Sequence, residues 1–352
     1  MKQSSTTVQE IIKEAKRGKM FILVDNKDRE NEGDLVIPAS KINAKKINFM
    51  AKHGRGLICL ALTQEKVKKL KLPLMSLINK SRTQTAFTVS IEAKKGISTG
   101  ISAYDRAKTI KVAIKNSSGS KDIVSPGHVF PLVSKNGGVL ERAGHTEASV
   151  DISKLAKLNP SAVICEVMNE DGTMARYNDL VPFSKKHNLK IAKIEDLISY
   201  RLKNEKFIKM ISNRKINIKK FGNYDLKVFK NKLDDAEHYA LTSKNFSYRK
   251  SPRVRVISTN IINTIFNFNK NIFKSTLNYL SKFNNFALII VKSPSHTKNS
   301  KENSKILRYY GVGAQIIKEL KIKDMILVSR SKKRIIALKG YGIKIKKQEI
   351  LK

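Results

Sequence analysis

The sequence predicts a protein of two domains that contains both α-helices and β-strands. The chain has 352 residues, a length for which two domains are a better expectation than one. Hydrophobic residues make up 41% of it, which is enough for packed cores. Residues 1–206 carry a net charge of +16 and residues 207–352 a net charge of +25. We therefore predict domains at 1–206 and 207–352, with the Lys/Asn-rich stretch around 203–214 as the junction.

The formal net charge of +41 does not identify a function. Lysines occur in every segment, so a compositional bias explains the charge as well as a nucleic-acid partner does. We expect only nonspecific attraction of polyanions. No apolar run reaches the ~18 residues of a membrane span, and the polar start of the chain does not resemble a secretory signal. Cys59 and Cys165 lie in apolar runs, which favours buried thiols in a reducing cytoplasm and leaves a disulfide as the alternative.

The first elements surround an acidic loop. Residues 7–15 form an amphipathic pattern after candidate caps at 4–7, and Gly18 ends this predicted helix. An apolar strand at 20–24 leads into the acidic stretch 25–34, and a second apolar run follows at 35–38. The order of elements is therefore helix, strand, acidic loop and strand.

The acidic loop has the composition of a cation site. If the loop is extended, Glu30, Glu32 and Asp34 lie on one side of it. Carboxylates that share a side repel each other unless a cation or a proton lies between them, and Mg²⁺ prefers oxygen ligands. Arg29 adds a planar group suited to a phosphate or a carboxylate. The alternative is a solvated acidic turn.

Further strands and a hydroxyl-rich segment follow. Residues 57–62 are all apolar, which predicts a strand buried on both faces, and residues 87–91 alternate like a strand. The segment 96–106 combines glycines, hydroxyl side chains and Arg106, which suits phosphate or sugar binding. A simple turn before the helix at 105–115 explains this segment equally well.

Two histidines and one glutamate complete the candidates. His128 and His145 each follow a glycine, and Arg142 and Thr146 flank the second. Glu166 lies within the apolar strand 162–168, where partial desolvation raises a carboxyl pKa and suits it to proton transfer. On an edge strand, alternation would instead turn Glu166 to solvent.

Four segments in order resemble the 3,4-dihydroxy-2-butanone 4-phosphate synthase family over about residues 7–198. The segments are Asp28-Arg29-Glu30-Asn31-Glu32-Gly33-Asp34-Leu35, Thr99-Gly100-Ile101-Ser102-Ala103-Tyr104-Asp105-Arg106, the two histidine segments 126–132 and 137–147, and the strand around Glu166. The resemblance implies an α+β fold with a mixed sheet. It also implies a homodimer with sites near the interface.

The resemblance further implies a carbon–carbon lyase that acts on ribulose 5-phosphate with Mg²⁺, or with Mn²⁺ as an alternative. Glu30 and His145 match the metal ligands of the family, and His128 and Glu166 match residues essential for catalysis, with Glu32 as a weaker candidate. The substrate contacts implied are Arg29, Glu30, Asp34, Arg142, Ala143, Gly144, His145, Thr146 and Glu166.

The remainder of the chain resembles GTP cyclohydrolase II, which implies a smaller α/β domain. The similar segments lie at 221–226, 237–241, 308–317 and 340–342. That family holds zinc with three cysteines, whereas this chain has no cysteine after Cys165 and has Val254-Arg255-Val256-Ile257-Ser258 where the cysteine segment begins. We therefore expect neither zinc nor cyclohydrolase activity here. A basic binding or dimer-supporting module and a bifunctional enzyme are the alternatives.

Overall fold

The computed structural model describes residues 6–26, 29–76, 78–232, 235–259, 270–292, 302–330 and 342–351. Residues 340–341 of the last segment similar to GTP cyclohydrolase II lie outside the described residues, as do residues 260–263, which follow the segment that stands where that family has its cysteines. The chain divides into two compact units, Met1–Tyr200 and Arg201–Lys352.

The N-terminal unit starts with α1 (Val8–Arg17), whose predicted cap and end are confirmed. The Thr7 side chain accepts the Glu10 N–H, and the Glu10 carboxylate accepts the Thr7 N–H. Gly18 ends the helix with a φ of 71°. The other helices are α2 (Ala44–Phe49), α3 (Gln64–Leu70), α4 (Ala103–Ile114), α5 (His145–Leu155), α6 (Tyr177–Lys186) and α7 (Ile194–Asn204), with a π-helical turn at Met50–Gly54.

Seven strands form one mixed sheet in this unit. They are β1 (Phe21–Val24), β2 (Gly33–Pro38), β3 (Cys59–Thr63), β4 (Ile91–Ala93), β5 (Ile123–Ser134), β6 (Ala162–Glu166) and β7 (Lys190–Lys193), in the order β4-β5-β3-β6-β2-β1-β7. The β1–β7 and β3–β5 pairs are parallel and the others antiparallel. The predicted mixed sheet is confirmed.

Successive side chains of each strand point to opposite faces of this sheet. One face, which includes Leu35, Leu60 and Cys165, packs into a buried apolar cluster with α2, α3, α4 and α6. The other face lies against α5, which contacts β1, β2, β3, β5 and β6. Asp34, Glu166 and Cys59 belong to this second face, because each is one residue out of step with the apolar cluster.

The C-terminal unit is the predicted smaller α/β domain and contains a second seven-stranded mixed sheet. Its strands are β8 (Ile208–Ile218), β9 (Gly222–Asn231), β10 (Glu237–Ser243), β11 (Arg253–Thr259), β12 (Phe286–Lys292), β13 (Asp324–Ser329) and β14 (Lys344–Ile350). Their order is β14-β13-β11-β12-β10-β9-β8, parallel from β14 to β12 and antiparallel from there to β8. Among the described residues of this unit, the helices are α8 (Lys270–Leu280) and α9 (Glu302–Glu319).

Within the described ranges, no helix combines the length and apolar character that a membrane crossing requires. Cys59 and Cys165 are both free and buried, as predicted.

Candidate active site

The acidic loop between β1 and β2 is organised by Asp25, which sequence reasoning did not single out. Its Oδ1 accepts the Glu32 N–H at 2.9 Å, and its Oδ2 accepts the Glu30 N–H at 3.1 Å and Nη1 of Arg29 at 2.9 Å. Asn31 has a φ of 56°, so the loop is a tight turn and not the extended strand considered above. An aspartate directly after an apolar strand, followed by polar residues, is the turn signal that could have identified Asp25.

Arginines outside the loop hold its backbone in place. Nη1 of Arg176 donates to the carbonyls of Glu30 and Asn31 at 2.5 and 3.0 Å, and it lies 3.5 Å from Oε1 of Glu32. Nη1 of Arg82 donates to the Arg29 carbonyl at 3.0 Å. No sequence motif pointed to Arg176, which precedes α6.

His145 begins α5 and points a free nitrogen at the acidic loop. Its Nε2–H donates to the Leu23 carbonyl at 3.2 Å, because a carbonyl can only accept. Nδ1 therefore keeps its lone pair, and it lies 3.9 Å from Oε2 of Glu30 and 3.8 Å from Oδ1 of Asp34. Burial lowers the pKa of His145, which favours the neutral ring.

These donors fit a divalent cation. In the described part of the chain, Asp25, Glu30 and His145 form a group whose ligand atoms all lie within 4.8 Å of one another. Donors that share one Mg²⁺, with bonds of ~2.1 Å, are separated by about 3 to 4 Å. The Nδ1 distances of His145 are of this size, and a second hydrogen bond from the ring to a carbonyl is typical of a metal-bound histidine. Both oxygens of Asp25 already accept hydrogen bonds within the loop, so Asp25 is the less available of the two carboxylate ligands. The Glu30 carboxylate contacts the side chain of Arg29.

Glu166 lies beside Asp34 on the same face of the sheet. The two residues are directly paired between β6 and β2, and the Leu57 N–H donates to Oε2 of Glu166 at 2.9 Å. β6 lies between β3 and β2, so the edge-strand alternative for Glu166 is wrong. A Cβ at Gly56 would lie 2.6 Å from the Glu166 carbonyl oxygen, so a side chain there would collide with the backbone of β6.

Burial raises the pKa of several acids in this group. The pKa of Asp34 is raised well above its usual value by burial and then by the charge of Glu166. Burial is also the first cause of the raised pKa of Glu166, and for Glu32 burial is followed by the charge of Glu30. Burial raises the pKa of the Cys59 thiol on the same face. A raised pKa favours the protonated form of these carboxyls, which is the property of an acid that can donate a proton in a reaction.

The remaining predicted residues lie outside the acidic group, by which we mean Glu32, Asp34 and Glu166. Arg142 donates to Oε2 of Glu147 at 2.7 Å and to Thr85 Oγ1 at 2.8 Å, so its guanidinium is held by a neighbouring loop. Ala143 is half-buried, whereas Gly144 and Thr146 are buried at the start of α5. His128 lies on β5, where its Nδ1 contacts Oε1 of Glu92, another residue that sequence reasoning missed.

Comparison with known proteins gives a consistent result. A family profile described as 3,4-dihydroxy-2-butanone 4-phosphate synthase matches residues 9–200, and one described as GTP cyclohydrolase II matches residues 278–349. The chain is 42% identical to a 3,4-dihydroxy-2-butanone 4-phosphate synthase of Photobacterium phosphoreum, over 97% of this chain and 98% of that protein.

Solved structures agree in fold. RibBX, a two-domain 3,4-dihydroxy-2-butanone 4-phosphate synthase from A. baumannii, superposes with a TM-score of 0.84 at 39% identity, covering 98% of this chain and 99% of that one. A 3,4-dihydroxy-2-butanone 4-phosphate synthase in complex with two magnesium ions superposes with a TM-score of 0.54 at 36% identity, covering 56% of this chain and 98% of that one. The chain thus belongs to the 3,4-dihydroxy-2-butanone 4-phosphate synthase family of riboflavin biosynthesis and is an enzyme of that class.

Proposed function

We propose that residues 1–206 convert D-ribulose 5-phosphate to L-3,4-dihydroxy-2-butanone 4-phosphate and formate. The observation that carries this proposal is the position of the Glu30–His145 donor pair beside Asp34, an acid with a strongly raised pKa. The reaction needs enolisation, loss of water, a shift of the carbon skeleton and excision of one carbon. It consumes no external oxidant or reductant, so a site with a metal and proton-transferring acids is sufficient.

Glu30 and His145 would hold Mg²⁺, with Mn²⁺ as an alternative. Such an ion polarises a carbonyl and acidifies neighbouring hydroxyls. The magnesium complex of a 36% identical synthase supports Mg²⁺ as the ion. The Leu23 carbonyl keeps the His145 ring oriented, and Asp25 keeps the Glu30 backbone in its turn.

Glu166 and His128 would transfer the protons of the reaction, and Asp34 would contact the substrate. The Leu57 N–H holds Oε2 of Glu166, so Oε1 is the oxygen that we expect to exchange a proton with the sugar. Glu32 is a weaker candidate, because Arg176 lies 3.5 Å from its Oε1.

The two arginines among the proposed substrate contacts differ in how many of their donors are already used. Arg29 is in direct contact with Glu30, so it borders the sugar site. Nη1 and Nη2 of Arg142 already donate to Glu147, Thr83 and Thr85. Arg142 would bind the substrate with the N–H groups that these three bonds do not use. We assign Ala143, Gly144 and Thr146, which flank His145, to the same substrate contact.

A second copy of the chain is the partner that we propose for the exposed apolar side chains beside β4. Leu74 and Met75 lie next to residues 87 and 88, which pair with β5, the neighbour of β4 in the sheet. Ile101 follows Gly100, which lies against Glu92 of β4. The exposed members are Leu74, Met75, Ile78, Ile101 and Tyr104, each at 48–72% exposure. Light scattering of a Met75→Glu, Ile101→Glu double variant tests the dimer, since a dimer that persists unchanged would contradict it.

For residues 207–352 we propose a domain without zinc and without cyclohydrolase activity. The alternative, a bifunctional enzyme, is favoured by the cyclohydrolase II match at 278–349. The absence of any cysteine after Cys165 weighs against it, because a tetrahedral zinc site of that family needs thiolates. Elemental analysis and formate release from GTP by the full chain decide between the two. Near-stoichiometric zinc with GTP turnover would overturn our proposal.

We further propose that the protein works in the cytoplasm, where two buried free thiols are expected. Nucleic acids would bind only nonspecifically through the basic surplus.

The experiment that tests the main proposal is an assay of the purified chain with ribulose 5-phosphate. We expect formate and a four-carbon phosphate product by mass spectrometry when Mg²⁺ is present, and neither in excess chelator. Folded, metal-loaded protein that releases no formate would refute the proposal.

A further inference from the structure

Glu92 on β4 holds one nitrogen of His128. Oε1 of Glu92 contacts Nδ1 of His128, and the two side chains are 15% and 43% exposed. An ionised carboxylate can only accept, so in the neutral ring the proton lies on Nδ1 and the lone pair on Nε2. Ile91 pairs with Val129, and the register then shifts so that Glu92 pairs with Val124. The contact between Glu92 and His128 lies at this irregularity between β4 and β5.

The hydroxyl-rich segment 98–105 covers this pair. A Cβ at Gly100 would lie 1.6 Å from Oε1 of Glu92 and 2.8 Å from Nδ1 of His128, and the φ of Gly100 is 90°. The Asp105 carboxylate fixes the segment by accepting the N–H groups of Ser98 and Gly100. Only a glycine can bring its backbone this close to the carboxylate. The segment that the sequence marked for phosphate or sugar binding therefore also forms a wall behind Glu92.

The pair belongs to one row of residues across the sheet. Cys59 of β3 pairs with Ile164 on one side and with Phe130 on the other. Glu166 lies two residues after Ile164 on β6, and His128 lies two residues before Phe130 on β5. Residues two apart along a strand face the same side, so His128 shares the α5 face of the sheet with Glu166.

We infer that Glu92 is a positioning residue for the reaction: it sets the tautomer and direction of His128, so that Nε2 is the atom that exchanges a proton with the sugar. Gly100 leaves space for the Glu92 carboxylate, because it has no side chain. This inference rests on the proposed function, because it assumes that His128 transfers protons.

The test is a Glu92→Gln variant of the full chain, assayed with Mg²⁺ and ribulose 5-phosphate. An amide can accept or donate, so both tautomers of His128 become populated. General acid–base groups contribute about 10²–10⁴-fold, and misplacing one without removing it should lower kcat roughly 10- to 100-fold with KM little changed. The pH profile of kcat should move, and ¹⁵N NMR should show a change from the Nδ1–H tautomer to a mixture.

Two further variants sharpen the result. Glu92→Asp keeps the charge and should recover part of kcat and the Nδ1–H tautomer. Gly100→Ala should displace the Glu92 carboxylate and reproduce the loss. The matched control is Glu65→Gln, an exposed carboxylate on α3, which should leave kcat and the His128 signals unchanged.

The failures of the two proposals can be told apart. If His128→Ala is inactive while Glu92→Gln keeps the wild-type kcat and tautomer, the inference about Glu92 is wrong and the proposed function stands. If His128→Ala turns over at the wild-type rate, the assignment of His128 itself fails.

Discussion

Each unit contains a seven-stranded mixed sheet, but a group of buried charges in the N-terminal unit is arranged differently from one in the C-terminal unit. In the N-terminal unit, Asp34, Glu32 and Glu166 lie near one another, and burial raises the pKa of each. Such an arrangement costs folding free energy, so it is expected where a ligand or a reaction requires it.

In the C-terminal unit, the partly buried charge of Arg253 has close partners. Nε and Nη2 of Arg253 on β11 donate to Glu349 on β14 at 2.9 and 3.2 Å, and the Tyr279 hydroxyl donates to the same carboxylate at 3.0 Å. The guanidinium also lies 3.6 Å from the centre of the Phe283 ring. This cluster is what stability alone would select. Its contrast with the acidic group supports the proposal that the synthase reaction takes place in the N-terminal unit.

The largest effect should follow loss of a proposed metal ligand. Glu30→Gln and His145→Asn should each lower kcat/KM about 10³-fold or more, since the metal loses both its place and its Lewis acidity. Mg²⁺ should also raise the Tm of the wild type but not of these variants. Steady-state kinetics and thermal unfolding with and without Mg²⁺ measure both effects.

The control for these two variants is Glu170→Gln, because the Glu170 side chain is 88% exposed and forms a loose ion pair with Arg55 at 3.7 Å. It should behave as wild type. A ligand variant that retains wild-type turnover would remove the basis for assigning the metal to this loop.

The second prediction concerns the C-terminal cluster. Glu349→Gln should cost about 2 kcal/mol in the free energy of unfolding, because it leaves the part-buried Arg253 without its charge partner. Turnover of ribulose 5-phosphate at temperatures below the thermal unfolding transition should not change. Asp235→Asn is the control: its pair with Lys230 at 2.9 Å is 80% and 46% exposed, so no measurable shift is expected. Equal shifts in both variants, or lost turnover, would contradict the contrast between the units.

Local patterns predicted the fold better than they predicted the site. The Thr7 cap and the buried strand around Cys59 follow from short-range rules, and both are confirmed. A turn signal marks Asp25, but its bonds to the Glu30 and Glu32 N–H groups do not follow from that signal, and no local pattern marks Arg176. Glu92 contacts His128 across 36 residues of chain. Such a contact depends on strand order, which no local pattern specifies.

A third and smaller effect should come from Arg176, which holds the loop without being assigned to the chemistry. Arg176→Met removes the donor to the Glu30 and Asn31 carbonyls, so the loop should sample other conformations. A small misplacement of reacting groups is costly, and we expect kcat/KM to fall about 10-fold. Arg55→Met is the matched control, since Arg55 donates to the Met168 carbonyl at 3.2 Å outside the loop. Similar losses in both variants would argue for a general packing effect.

The smallest effect should be a gain in stability. Asp34→Asn removes a buried carboxyl that burial and Glu166 disfavour as an anion, so the metal-free protein should gain on the order of 1 kcal/mol near neutral pH. For a domain of this size that is about 2–4 °C in Tm. Activity should be lost at the same time, because Asp34 faces the proposed metal. Thermal unfolding in chelator measures the gain.

The change of stability with pH shows in which direction Asp34 affects folding. The folded state binds a proton on Asp34 more tightly than the unfolded state does, so folding takes up a proton between the unfolded-state pKa of ~3.9 and the raised folded-state pKa. The wild type should therefore lose stability as the pH rises through this window, and Asp34→Asn should lose less. Asp171 is the opposite case, because hydrogen bonds from Thr173 lower its pKa. Asp171→Asn should therefore remove stability that is fully present above the unfolded-state pKa and is lost as the pH falls through the lowered folded-state pKa. If Asp34→Asn and Asp171→Asn shift the pH dependence in the same direction, the buried carboxyls of the N-terminal unit do not carry the electrostatic cost that separates it from the C-terminal unit.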